Sequence, residues 1–85
     1  MESVEQLSKN LEILYLIRDK MTKFFSLNSQ VERLCGIVCQ ETDLAKKNRL
    51  IDLTAILIDR CLMLRVEIDE IRAQNPSIFP LPLAK

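Results

Sequence analysis

The side chains best suited to chemistry in this chain of 85 residues are three thiols, Cys35, Cys39 and Cys61. Cys35 and Cys39 stand four residues apart, so a helix would carry both on one face, one turn apart. Such a pair can be oxidised or can offer thiolates to a soft metal, but nothing around it completes either site. The chain has no His, the side chain most often used as a base near neutral pH and the commonest metal ligand. Three thiolates alone fall short of the four ligands of a structural zinc site, so no metal is expected. An odd number of Cys does not close into a disulfide framework. The segment Met1-Glu2-Ser3-Val4-Glu5 is acidic and has no apolar stretch behind it, unlike a secretory signal. A reducing, cytoplasmic compartment is therefore expected, with all three thiols packed as small buried hydrophobes.

Other chemistries lack their parts. The single glycine, Gly36, excludes phosphate-binding loops built from several glycines. No hydroxyl or thiol has an evident base, so the protein is expected not to be an enzyme and to take no cofactor or small-molecule substrate. Twelve basic and twelve acidic residues cancel, which argues against nucleic acid as a partner. The one basic cluster, Lys46, Lys47 and Arg49, reads as a solvated helix end. The Cys35-x-x-x-Cys39 spacing resembles half of the twin CX3C pattern of the small mitochondrial intermembrane-space chaperones. No second CX3C follows, so the likeness ends there.

The elements that must carry these residues are helical. Ser3-Val4-Glu5-Gln6 matches a capping box, and Val4, Leu7, Leu11, Leu14, Met21 and Phe25 then share one helical face, flanked by Ile13, Ile17 and Phe24. A first helix is expected over about residues 4–26, with that face holding a hairpin together. Ser26-Leu27-Asn28-Ser29 suggests a tight turn, and Ser29-Gln30-Val31-Glu32 a second capping box. A second helix would run over about 30–47 and end at Lys46-Lys47-Asn48, with Gly36 tolerated for close packing. A third would cover about 49–74 before Asn75-Pro76 stops it. The alternative is one long helix over 30–74 with the first packed on it. The fold class is thus all-α: an antiparallel helical hairpin or three-helix bundle with coiled-coil-like packing, forming one domain over residues 1–75.

The third segment carries the sharpest signal. Leu50, Thr54, Leu57, Cys61, Leu64, Ile68 and Ile71 step alternately by four and three, a heptad seam. Ile51, Ala55, Ile58, Leu62 and Val66 make a second stripe beside it, and Ile56 and Met63 lie near the polar strip. Within residues 50–64, eleven of fifteen side chains are apolar, more than the single stripe that a surface helix buries. Asp52, Asp59 and Arg60 interrupt that window, and no apolar run approaches the roughly 18–20 residues of a membrane span, so no membrane insertion is expected. A domain of this size buries only about 60% of its unfolded surface, and a partner chain is the expected supplement.

The expected function is therefore that of a small helical interaction subunit in a hetero- or homo-oligomeric assembly, binding another helical chain or itself. Its expected partner-binding residues are Leu50, Ile56, Leu57, Ile58, Cys61, Leu62, Met63, Leu64, Ile68 and Ile71, with Phe79 and Leu81 from the apolar, Pro-containing tail over residues 76–85. That tail either folds back on the helices or docks in a partner's groove. Two alternatives stand beside this. One is a chaperone or co-chaperone masking a client, similar in size and shape alone to the helical co-chaperones of type III secretion. The other is a thiol redox protein using Cys35 and Cys39.

Overall fold

The computed structural model describes residues 3–79, which form two long helices joined by a short turn. Helix α1 runs over Val4–Gln40 and α2 over Leu44–Gln74. They pack against each other as an antiparallel hairpin with extents of 63 × 32 × 14 Å. The hairpin expected from the sequence is present; the three-helix bundle is not, nor is one helix over residues 30–74.

The start of α1 follows the capping signal. The Ser3 hydroxyl accepts from the Gln6 backbone N–H at 3.2 Å, while the Gln6 side chain turns forward to Asn10 instead of back to the cap. The expected break at residues 26–29 does not occur, and α1 passes straight through. No Gly or Pro stands there, and Ser26, Asn28 and Ser29 are exposed while Leu27 faces α2. The physical cause lies in the other helix. The unbroken seam of α2 from Leu50 to Ile71 extends for about 31 Å at 1.5 Å per residue, and a continuous α1 covers it without a gap.

The chain reverses instead at Glu41, Thr42 and Asp43. Glu41 leaves the helix in extended geometry, and its backbone N–H still donates to the carbonyls of Ile37 and Val38. Its carboxylate accepts from the Asp43 N–H at 3.0 Å, which tightens the turn. Asp43 then caps α2 by accepting from the N–H groups of Ala45 and Lys46. Lys46-Lys47-Asn48, expected to end a helix, thus stands in the opening turns of one. At the far end the expectation holds. α2 stops at Gln74, and the Asn75 side chain donates to the Ile71 carbonyl at 2.7 Å.

The interface between the helices is a heptad seam from both sides. On α2 it consists of Leu50, Thr54, Leu57, Cys61, Leu64, Ile68 and Ile71, all buried or half-buried, as the spacing predicted. On α1 the inward positions are Asn10, Ile13, Ile17, Lys20, Phe24, Leu27, Val31, Leu34 and Val38. The face expected to hold the hairpin is therefore corrected. Val4, Leu7, Leu11, Leu14, Met21 and Phe25 are all exposed, Phe25 by 58%. The physical reason is continuity. The inward stripe is apolar from Phe24 through Leu27, Val31, Leu34 and Val38 to the turn, whereas the expected stripe breaks at Arg18, Asn28 and Glu32.

Three polar side chains sit in the seam, and Asn10, nearest its open end, accepts from the Gln6 side chain. The Thr54 hydroxyl donates to the Leu50 carbonyl at 2.6 Å, so its burial leaves no unmet group. The Lys20 ammonium reaches Glu67 at 2.9 Å across the helices. With Glu67 half-exposed, this pair contributes modestly to stability, but it selects the register in which its partners meet.

Candidate interaction surface

Each helix carries a second apolar stripe displaced from its seam by one residue. On α1, the inward positions Asn10, Ile13, Ile17, Lys20 and Phe24 are each followed by Leu11, Leu14, Arg18, Met21 and Phe25. On α2, Leu50, Thr54, Leu57, Cys61 and Leu64 are followed by Ile51, Ala55, Ile58, Leu62 and Arg65. One residue is a rotation of about 100°. The helices run antiparallel and face each other, so the same one-residue step turns both outer stripes to the same broad side of the hairpin.

Shallow clefts between the helices establish that side directly. Met21, Phe24 and Phe25 share one with Arg65 and Ile68, near the open end. Asn28 and Val31 share the next with Ile58, Leu62 and Arg65. Cys35, Val38 and Cys39 share a third, almost wholly apolar, with Ile51, Thr54, Ala55 and Ile58, near the turn. Together they form one groove along the hairpin. The rim is not apolar throughout: Arg18 lies over the Tyr15 ring at 4.8 Å, and Arg65 borders two of the clefts. The opposite broad side is mixed: one residue before the seam it carries Glu12, Leu16, Asp19, Lys23, Arg33 and Ile37 on α1, and Leu53, Ile56 and Met63 on α2.

The expected partner-binding residues divide three ways. Leu57, Cys61 and Ile68 are buried, and Leu50, Leu64 and Ile71 half-buried, against α1 of the same chain. Ile58 and Leu62 are exposed on the grooved side. Ile56 and Met63 are exposed too, yet they precede Leu57 and Leu64 and therefore face the opposite side. Phe79 is half-buried beyond α2, where its N–H donates to the Asn75 carbonyl at 3.0 Å; Leu81 lies outside the described residues. Exposed on the grooved side beside them are Leu7, Leu11, Leu14, Met21 and Phe25, which the sequence pattern assigns to the hairpin core. The available signal was the pair of stripes one residue apart, which α1 shares with α2.

The thiols divide as well. Cys61 is buried in the seam, as expected, whereas Cys35 and Cys39 are exposed, contrary to expectation. They follow the inward residues Leu34 and Val38 by one position and so belong to the outer stripe. Among the described residues no three Cys, Asp or Glu side chains stand close enough together to hold a metal ion. No helix among them is long and apolar enough to cross a membrane. Compared with protein-family models, curated proteins and solved structures, the chain matches none of them.

Proposed function

We propose that this chain is a non-catalytic helical interaction subunit that binds another protein through the grooved side of the hairpin. The observation that carries the reading is the excess of apolar stripes over the helices available to cover them. Two helices packed as a pair bury one stripe each. Here both helices have two, and the second pair, including Leu11, Leu14, Phe25, Ile58 and Leu62, stays in water. Soluble monomers rarely expose contiguous apolar surface of this kind, and it commonly marks a binding site. Fully covering a Leu or Ile side chain stabilises by about 1.5–3 kcal/mol, and roughly half of that remains for side chains already half covered, so several of them on both helices together supply stable association.

The test is co-purification of the tagged chain from its native source. Ile58→Asp should lose a stoichiometric partner while Lys23→Ala, on the opposite side, retains it. Equal retention by both would sink the reading. A second reading, thiol redox chemistry, has one observation in its favour: Cys35 and Cys39 are exposed on one helix face, a turn apart. Full function of the Cys35→Ser, Cys39→Ser double variant would remove that reading and leave the first untouched.

A further inference from the structure

We infer that the occupant of the grooved side is a second copy of this chain, two hairpins stacking face to face as a four-helix bundle. This rests on the interaction reading above and names the partner. A helix in a three-helix bundle meets its two neighbours at about 60° to each other, and in a square four-helix bundle at about 90°. The seam and outer stripe are one residue apart on both helices, an offset of about 100°. That offset fits the square. A single helix lying in the groove would sit between the two outer stripes, whereas a hairpin places one helix over each. A second copy supplies two antiparallel helices of the same length and spacing, with matching outer stripes.

The chain exposes 7058 Å². This is roughly a third more than the about 5,200 Å² expected of a compact monomer of 9.9 kDa. The surplus exceeds the about 800 Å² per partner that a stable interface buries. No large side chain among the described residues is fully buried, as expected of a layer with half its packing missing. The twelve basic and twelve acidic residues cancel, so two copies meet without net repulsion. The polar breaks in the outer stripes, Arg18 and Arg65 against Glu32 and Asp69, offer both signs to a copy of themselves.

Sedimentation equilibrium of the full chain under reducing conditions, over about 1–100 μM, tests this. The expected mass is twice that of the chain. Ile58→Glu and Leu14→Glu should each weaken dimerisation by about a hundredfold or more, whereas Ile56→Glu, on the opposite side, should leave it intact. A readout without substitutions comes from the thiols. Cys35 and Cys39 should alkylate at least about tenfold more slowly at dimer than at monomer concentrations, because the interface covers them. A monomer at every concentration overturns the inference. So does a dimer that survives both Glu variants, or one whose Cys35 and Cys39 react as fast as in the monomer. If the Glu variants lose helicity by circular dichroism, thiol protection decides alone. A monomer that holds a different protein through an Ile58-sensitive contact overturns the second copy but leaves the interaction reading standing. A monomer with no partner removes both.

Discussion

At the scale of single residues, one position along a helix decides between burial and water. Ile17 is the most covered apolar side chain, at 5% exposure, while Leu11 on the neighbouring stripe is 49% exposed. Ile17→Ala should therefore cost about 2–4 kcal/mol in urea unfolding, from lost transfer energy and the cavity left behind. Leu11→Ala, measured dilute, should cost under about 1 kcal/mol, since little apolar surface returns to water. Gly36 illustrates the same sensitivity. Expected to be tolerable or useful for close packing, it has no atom beyond its own stretch of helix within 4 Å of the position a Cβ would occupy. Gly36→Ala should raise stability by about 0.5–1 kcal/mol, visible as a higher urea midpoint, because it removes backbone freedom from the unfolded chain without a clash. The placement of Cys61 was legible because it falls on an uninterrupted heptad. That of Cys35 and Cys39 was not, because Cys is equally at home beside or within a seam.

At the scale of elements, the decisive difference is where the chain turns. Ser26-Leu27-Asn28-Ser29 has good turn and capping chemistry, yet none of its residues forbids a helix, and the side chains that favour turns point to solvent here. The tertiary seam overrode a weak local preference. Gln30→Pro separates the two arrangements. At the first position of a new helix it would be harmless. Within a continuous α1 it removes a hydrogen bond and clashes with the preceding turn, and should cost about 3 kcal/mol or more in thermal or urea unfolding. The true turn was less conspicuous in the sequence, since Glu41-Thr42-Asp43 contains neither Gly nor Pro. Its signal is Asp43 as a cap, and Asp43→Ala should lower stability by about 1 kcal/mol in urea unfolding.

At the scale of the whole molecule, two apolar helices must choose one alignment among several related by a sliding of one heptad. The Lys20–Glu67 pair is the cross-helix ionic contact that distinguishes them. Lys20→Glu should cost about 1 kcal/mol by bringing like charges together. Adding Glu67→Lys should recover most of it in a double-mutant cycle, because the reversed pair restores the contact. No recovery would mean that the helices had slipped or that Lys20 acts through its aliphatic stem alone. The hairpin leaves much of one broad side, with its Leu, Ile, Met and Phe side chains, uncovered. The sequence pattern marks α2 as the helix with surplus apolar surface; the fold exposes a second apolar stripe on α1 as well.

The sequence by itself determined the all-α class, the cap at Ser3, the stop before Pro76 and the inward seam of α2. Each of these is local: periodicity, a hydroxyl at the right offset, and a missing N–H act within one or two turns of the residues that cause them. Only the tertiary structure decided which of the two stripes of α1 faces inward and how far α1 extends. Two stripes about 100° apart are nearly equivalent to an isolated helix. The choice depends on the match to the other helix: the inward stripe runs apolar from Phe24 to the turn and sets Lys20 against Glu67, a property of the pair and of neither helix alone.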